Sequence, residues 1–91
     1  MFTIEDDSHG DLLGEYNTFD EAMTQLRAWA RIAWDQKPNR APCTSWQTCG
    51  RSYEIVEYDC TATPWNRVRT TPILQVDARG VRWGGATQRR P

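Results

Sequence analysis

One amphipathic helical segment, residues 18–35, stands out in a chain whose other apolar stretches are short and alternate with polar residues. It begins with Thr18-Phe19-Asp20-Glu21, a capping-box pattern in which the Thr18 hydroxyl and the Glu21 carboxylate each accept a backbone amide hydrogen bond. We expect the helix to end near Asp35, because prolines follow at positions 38 and 42. The apolar residues share one broad arc, and this arc has to be buried against another element: Phe19, Ala22, Met23, Leu26, Trp29, Ala30, Ala33 and Trp34.

The remaining short segments are typical of β-strands. Residues 2–5 alternate apolar and polar side chains and lead through an acidic turn to residues 12–16, which predicts an opening hairpin. Gly14 in the second strand indicates a bulge or close packing under the helix. After the helix, strands are predicted at 52–59, 73–77 and 81–83, and the last two are joined by a turn at Gly80.

The predicted fold is therefore α+β, a single small domain with the order ββαβββ. A helix lying on one face of a mostly antiparallel sheet of four to five strands buries the apolar arc. We assign the domain to residues 1–83 and expect a flexible C-terminal tail at 84–91. Five Trp, three Tyr and two Phe supply core area that the scarce aliphatic residues do not. Trp83 is expected to pack beneath the helix.

Charge is distributed unevenly along the chain. Residues 1–35 contain eight acidic and two basic residues, a net charge of −6, whereas residues 61–91 contain six arginines and Asp77, a net charge of +5. We expect these charges to cancel in part within the fold, with the arginines of the tail remaining free. The imbalance also raises the possibility of an electrostatic surface for a partner.

The cysteine count and the absence of targeting signals favour a reduced, cytoplasmic protein. Three cysteines do not suit a disulfide-framed secreted domain, and the acidic N-terminus does not resemble an export signal. No apolar run approaches the roughly 20 residues needed to cross a bilayer, so no membrane association is expected.

Metal, redox and catalytic chemistry are each poorly supported by the residue spacing. Cys43, Cys49, Cys60 and His9 are weak candidates for a zinc site, because structural zinc sites favour paired ligands two to four residues apart. Cys43 and Cys49 lack the C-x-x-C context of a redox pair, so bridged, buried and free states stay open. His9 lies in an acidic turn, where a solvated side chain is expected. We predict no cofactor and no enzymatic activity.

Two irregular connections, residues 35–51 and 60–71, are where recognition is expected. Trp and Arg are the residue types most enriched at binding hot spots, and the candidate binding residues are Trp46, Arg51, Trp65, Arg67 and Arg69. The function we expect is a non-catalytic interaction module, such as a protein-binding regulator, an adaptor or a mobile-element inhibitor. The alternative is a nucleic-acid-binding protein that uses the Arg- and Trp-rich C-terminal third. We expect a monomer, or a homodimer formed through a sheet edge.

Overall fold

The computed structural model describes residues 1–40 and 50–84 and confirms the α+β prediction. One helix packs on a five-stranded antiparallel sheet with the strand order β2-β1-β3-β4-β5. The N-terminal strand β1 therefore lies between its hairpin partner β2 and the long strand β3. The elements are β1 (Phe2–Asp6), β2 (Asp11–Tyr16), α1 (Phe19–Trp29), β3 (Arg51–Asp59), β4 (Asn66–Asp77) and β5 (Gly80–Trp83).

The opening hairpin contains the bulge that Gly14 predicted. Ile4 lies opposite Gly14 and Glu5 lies opposite Leu12, which leaves Leu13 as the extra residue. The Tyr16 side chain folds back over the glycine, and a Cβ there would lie 2.5 Å from the Tyr16 hydroxyl. A larger residue at this position would therefore have to displace the Tyr16 ring.

Helix α1 begins with the predicted capping box. The Thr18 hydroxyl accepts from the Glu21 amide at 3.0 Å, and the Glu21 carboxylate accepts from the Thr18 amide at 3.3 Å. The predicted end near Asp35 is wrong, because the helix ends at Trp29. Beyond it the amides of residues 31 and 32 bond to carbonyls only three residues back, which tightens the last turn.

A buried asparagine holds the end of the helix. The Asn39 side-chain amide donates to the carbonyls of Trp29 and Ile32, each at 2.8 Å, and its oxygen accepts from the Tyr53 hydroxyl at 2.8 Å. The Trp29 carbonyl also accepts from the Ile32 amide, so Asn39 adds a second donor there and anchors the connection to β3. Trp34, predicted within the helix, follows it and still packs against the core.

The sheet has two unlike faces. The helix face packs against α1 and contains the core residues Ile4, Tyr53, Ile55, Leu74 and Val76. The opposite face, which we call the open face, has no helix above it within residues 1–40 and 50–84. Alternation along the paired strands places on the open face Thr3, Glu5, Glu54, Val56, Tyr58, Arg67 and Thr70.

Strand β4 is much longer than the sequence indicated. It begins at Asn66, so the predicted irregular connection 60–71 is wrong for residues 66–71, which pair with β3. β-Branched residues at Val68, Thr70 and Thr71 favour extended structure. Their alternation is interrupted by two bulges, where Val68 and Ile73 are the extra residues, and this irregularity concealed the strand.

Two further expectations concern the C-terminal region. Trp83 lies on the edge strand β5 and is 45% exposed, whereas the helix packs on β1 and β2, so the prediction that it lies beneath the helix is wrong. The predicted tail at 84–91 lies outside the described residues except for Gly84. Among those described, no helix is both long and apolar enough to span a membrane.

Candidate functional site

The open face brings together an exposed cluster, the aromatic patch, formed by Glu5, Tyr58, Trp65 and Arg67. Tyr58 is its centre: the hydroxyl donates to the Glu5 carboxylate at 2.6 Å, and the ring lies 6.0 Å from the Trp65 ring. The Arg67 guanidinium lies 5.8 Å from the Tyr58 ring centroid and donates to Glu5 at 3.2 Å. Two of the candidate binding residues, Trp65 and Arg67, are thus brought into one cluster.

The chemical state of Tyr58 suits a positioning role. The hydrogen bond to the Glu5 carboxylate, followed by burial, raises the pKa of Tyr58 above its ordinary value. The hydroxyl therefore stays protonated at neutral pH and donates to Glu5. Because Glu5 accepts from both Tyr58 and Arg67, it holds the phenol and the guanidinium side by side.

Contact with a partner is possible because the outer members of the patch are exposed. Trp65 is 42% exposed and the Arg67 side chain is 51% exposed, and Val68 next to them is also exposed. β5 pairs only with Leu74–Asp77, so the outer edge of the first half of β4 has no partner strand among the described residues. The patch thus adjoins an open stretch of sheet edge.

Arg69 lies on the other face of the sheet. In a regular strand it would share a face with Arg67, but the bulge at Val68 reverses the alternation and places Arg69 opposite Glu57. There it lines a groove of about 320 Å³ together with Phe2 and Phe19 at the start of α1. The structure therefore separates the two candidate arginines by the thickness of the sheet.

Arg51 is a buried structural residue. Its side chain is 9% exposed, and its guanidinium donates to Asp6 at 3.0 Å, to Asp11 at 2.9 Å, and to the backbone carbonyls of Pro38 and Arg40 at 2.9 Å each. It ties the opening hairpin to the connection that follows the helix. This position makes Arg51 a support for the fold and not a contact surface.

The candidate metal and thiol residues do not converge in the described part of the chain. His9 is partly buried with Nδ1 2.6 Å from the buried Asp6 carboxylate, so the expectation of a solvated side chain is wrong. Cys60 is exposed, while Cys43, Cys49 and Trp46 lie outside the described residues. Within residues 1–40 and 50–84, no group of three or more His, Cys, Asp or Glu side chains could hold a metal ion.

Glu5 and Tyr58 were missed by the sequence reasoning. Each has an ordinary place in an alternating strand, and only the β1–β3–β4 pairing brings them to Arg67, which lies 62 residues from Glu5 along the chain. Alternation along the strand could have identified Tyr58 as an aromatic residue on an exposed face, but it could not have identified its partner Glu5.

Comparison of the chain with protein-family models, curated proteins and solved structures found no significant match.

Proposed function

We propose that this chain is a non-catalytic protein-binding module of the regulator, adaptor or inhibitor type, and that the aromatic patch is its contact surface. The observation that supports this most directly is that Trp65 and Arg67 are exposed while Tyr58 and Glu5 hold them in place. Trp, Tyr and Arg are the side chains that dominate the energy of protein interfaces.

Pre-organisation adds to the suitability of the patch. Ordering a long side chain at an interface costs about 0.5–1.5 kcal/mol of binding free energy. Arg67 is already restrained by Glu5, Tyr58 and the Thr70 hydroxyl, so less of that cost remains when a partner binds. Three of its four members, Glu5, Tyr58 and Arg67, lie on strands, which are a more rigid support than a loop.

Charge pairing favours a protein partner over nucleic acid. Arg67 pairs with Glu5, and Arg79 and Arg82 both pair with Asp77. The hydrogen bond from Arg82 holds the pKa of Asp77 well below its usual range, so this carboxylate remains charged and offsets one of the two positive charges beside it. Affinity for phosphates depends on unneutralised Arg and Lys side chains, and the two carboxylates offset all but one of these three positive charges.

Affinity capture from a lysate of the source cell, with and without nuclease, tests the proposal. Trp65→Ala and Arg67→Ala should fold and lose the captured protein, whereas Trp83→Ala is a matched control because Trp83 is equally exposed at the far end of the sheet. Capture that survives in both patch variants, or that disappears with nuclease, would contradict it. The second result would favour nucleic acid.

A further inference from the structure

Glu54 is a largely buried residue of the open face, and its carboxylate has no hydrogen-bond or ion-pair partner in the described part of the chain. Glu54 lies in the middle of β3, directly between Glu5 on β1 and Pro72 on β4. It is 9% exposed, and within the described part of the chain it makes neither a hydrogen bond nor an ion pair. Ionised carboxylates with this degree of burial are normally paired.

Glu54 lines a cleft of about 400 Å³, which we call the Glu54 cleft. Ser52 and Gln75 supply polar groups to its lining, the exposed carboxylate of Asp7 lies at its rim, and Pro72 and Ile73 form an apolar wall.

The electrostatic surroundings disfavour an ionised Glu54, although Glu5 and Asp6 are themselves paired with arginines and Arg82 donates to the side-chain oxygen of Gln75 in the lining. Burial, and then the charges of Asp7, Glu5 and Asp6, raise the pKa of Glu54, and Arg67 opposes them only in part. A positive group in the cleft would relieve both the lost hydration and the repulsion among these carboxylates.

An organic cation fits the lining better than a metal ion. Hard divalent cations need six or more oxygen ligands or several bound waters, and the described residues contain no cluster of three or more acidic, His or Cys ligands. Apolar walls beside a carboxylate instead suit a side chain with an aliphatic stem and a charged end. Guanidinium is planar and weakly hydrated, so it is the cation best suited to a partly buried carboxylate.

We propose that the Glu54 cleft binds the guanidinium group of an arginine side chain that the protein partner presents, an inference that rests on the proposed function. Glu54 and Tyr58 lie on the same face of β3, four residues or roughly 13 Å apart at 3.3 Å per residue. One partner segment lying along β3 can therefore contact the aromatic patch and place its arginine in the cleft.

Titration of the ¹⁵N-labelled protein with argininamide, followed by NMR, tests the cleft directly. We expect saturable shifts of the Ser52, Glu54 and Gln75 amides, and no such shifts with citrullinamide, which has the same α-amino group but an uncharged urea in place of the guanidinium. Glu54→Gln keeps the shape of the side chain and should weaken argininamide binding about tenfold or more, since it removes the charge from a charge-assisted hydrogen bond. Glu57→Gln, on the helix face of the same strand, is the matched control and should bind as the wild type does.

Three outcomes would overturn the cleft proposal: equal shifts with citrullinamide, equal losses in Glu54→Gln and Glu57→Gln, or shifts confined to other parts of the surface. If argininamide fails to bind while Trp65→Ala still abolishes protein capture, the cleft proposal is wrong and the proposed function stands. If argininamide binds through Glu54 but the patch variants capture protein normally, the cleft proposal stands and the proposed use of the patch is wrong.

Discussion

The helix face and the open face each contain an arginine paired with acids of the N-terminal hairpin, but the two arginines do different work. Arg51 on the helix face is almost fully buried and bonds to two carboxylates and two carbonyls. Arg67 on the open face is half exposed and bonds to Glu5 at the longer distance of 3.2 Å. Both were candidate binding residues by residue type alone.

The difference shows that burial decides what an ion pair contributes. Burying an ion pair costs hydration free energy, but removing one member leaves the other charge buried without a partner. The folded state therefore depends on both members being present. An exposed pair gains little in stability because water and salt screen it. Arg51 therefore stabilises the fold, whereas the Arg67 side chain remains half exposed to solvent.

Removing each arginine should give the largest contrast between the faces. Arg51→Ala leaves Asp6 buried without its cation, and we expect a loss of about 3–5 kcal/mol in the free energy of unfolding. Arg67→Ala should cost about 1 kcal/mol or less. Urea denaturation of both variants measures this, and equal losses would mean that the two ion pairs are not distinguished by burial.

The two faces should also differ in the cost of losing a tryptophan. Trp29 lies 5.4 Å from the buried Tyr53 ring and packs against the core, so Trp29→Ala should destabilise by about 3 kcal/mol. Trp65→Ala should cost about 1 kcal/mol or less, since Trp65 is an exposed residue outside the core and its ring packs beside that of Tyr58. Thermal unfolding followed by circular dichroism gives both values. A larger loss for Trp65→Ala would show that Trp65 belongs to the core and not to a contact surface.

Removing one hydroxyl from each face gives a smaller effect. Tyr53→Phe leaves the buried Asn39 oxygen without its donor, which should cost about 1–3 kcal/mol. Burial also raises the pKa of Tyr53 far above its ordinary value, so the hydroxyl is a donor at all ordinary pH values. In Tyr58→Phe, Glu5 keeps Arg67 as a partner, so we expect less than about 1 kcal/mol. Equal losses in urea denaturation would contradict the assignment of Asn39 as an interior anchor.

The smallest expected effect is a change in pH dependence at Glu54. Its pKa is raised above the ordinary value of 4.5, first by burial, so the folded protein holds this proton more tightly than the unfolded chain. The resulting stabilisation is fully present below the unfolded pKa and is lost as the pH rises through the folded pKa. Glu54→Gln should therefore remove part of the decline in stability over that interval.

A pH series of urea denaturations measures this decline for the wild type and for both glutamine variants. Glu57→Gln should keep the part of the decline that comes from Glu54, because Glu57 lies on the opposite face of the sheet and leaves the Glu54 carboxylate in place. A Glu54→Gln profile that runs parallel to the wild type at every pH would show that the Glu54 carboxylate is as well solvated as in the unfolded chain. That result would also remove the electrostatic reason for a cation in the cleft.

Local signals predicted the order of elements and the start of the helix. The capping box at Thr18, the alternation in residues 2–5 and the turn at Gly80 each depend on neighbours within a few residues, and each is present in the structure. Signals within a few residues did not predict the end of the helix or the start of β4. Asn39 reaches the helix from ten residues away, and two bulges interrupt the alternation in β4.

The sequence by itself determined the α+β class and the kinds of side chain available for binding, because both follow from composition and short-range periodicity. Only the tertiary structure decided that Arg51 is interior, that Arg67 and Arg69 lie on opposite faces, and that Glu5 and Glu54 stand among residues from distant parts of the chain. Strand order and register set these neighbours, and a single bulge reverses the face of every residue beyond it. The burial of a charge, and hence its role, therefore depends on pairings that no short stretch of sequence specifies.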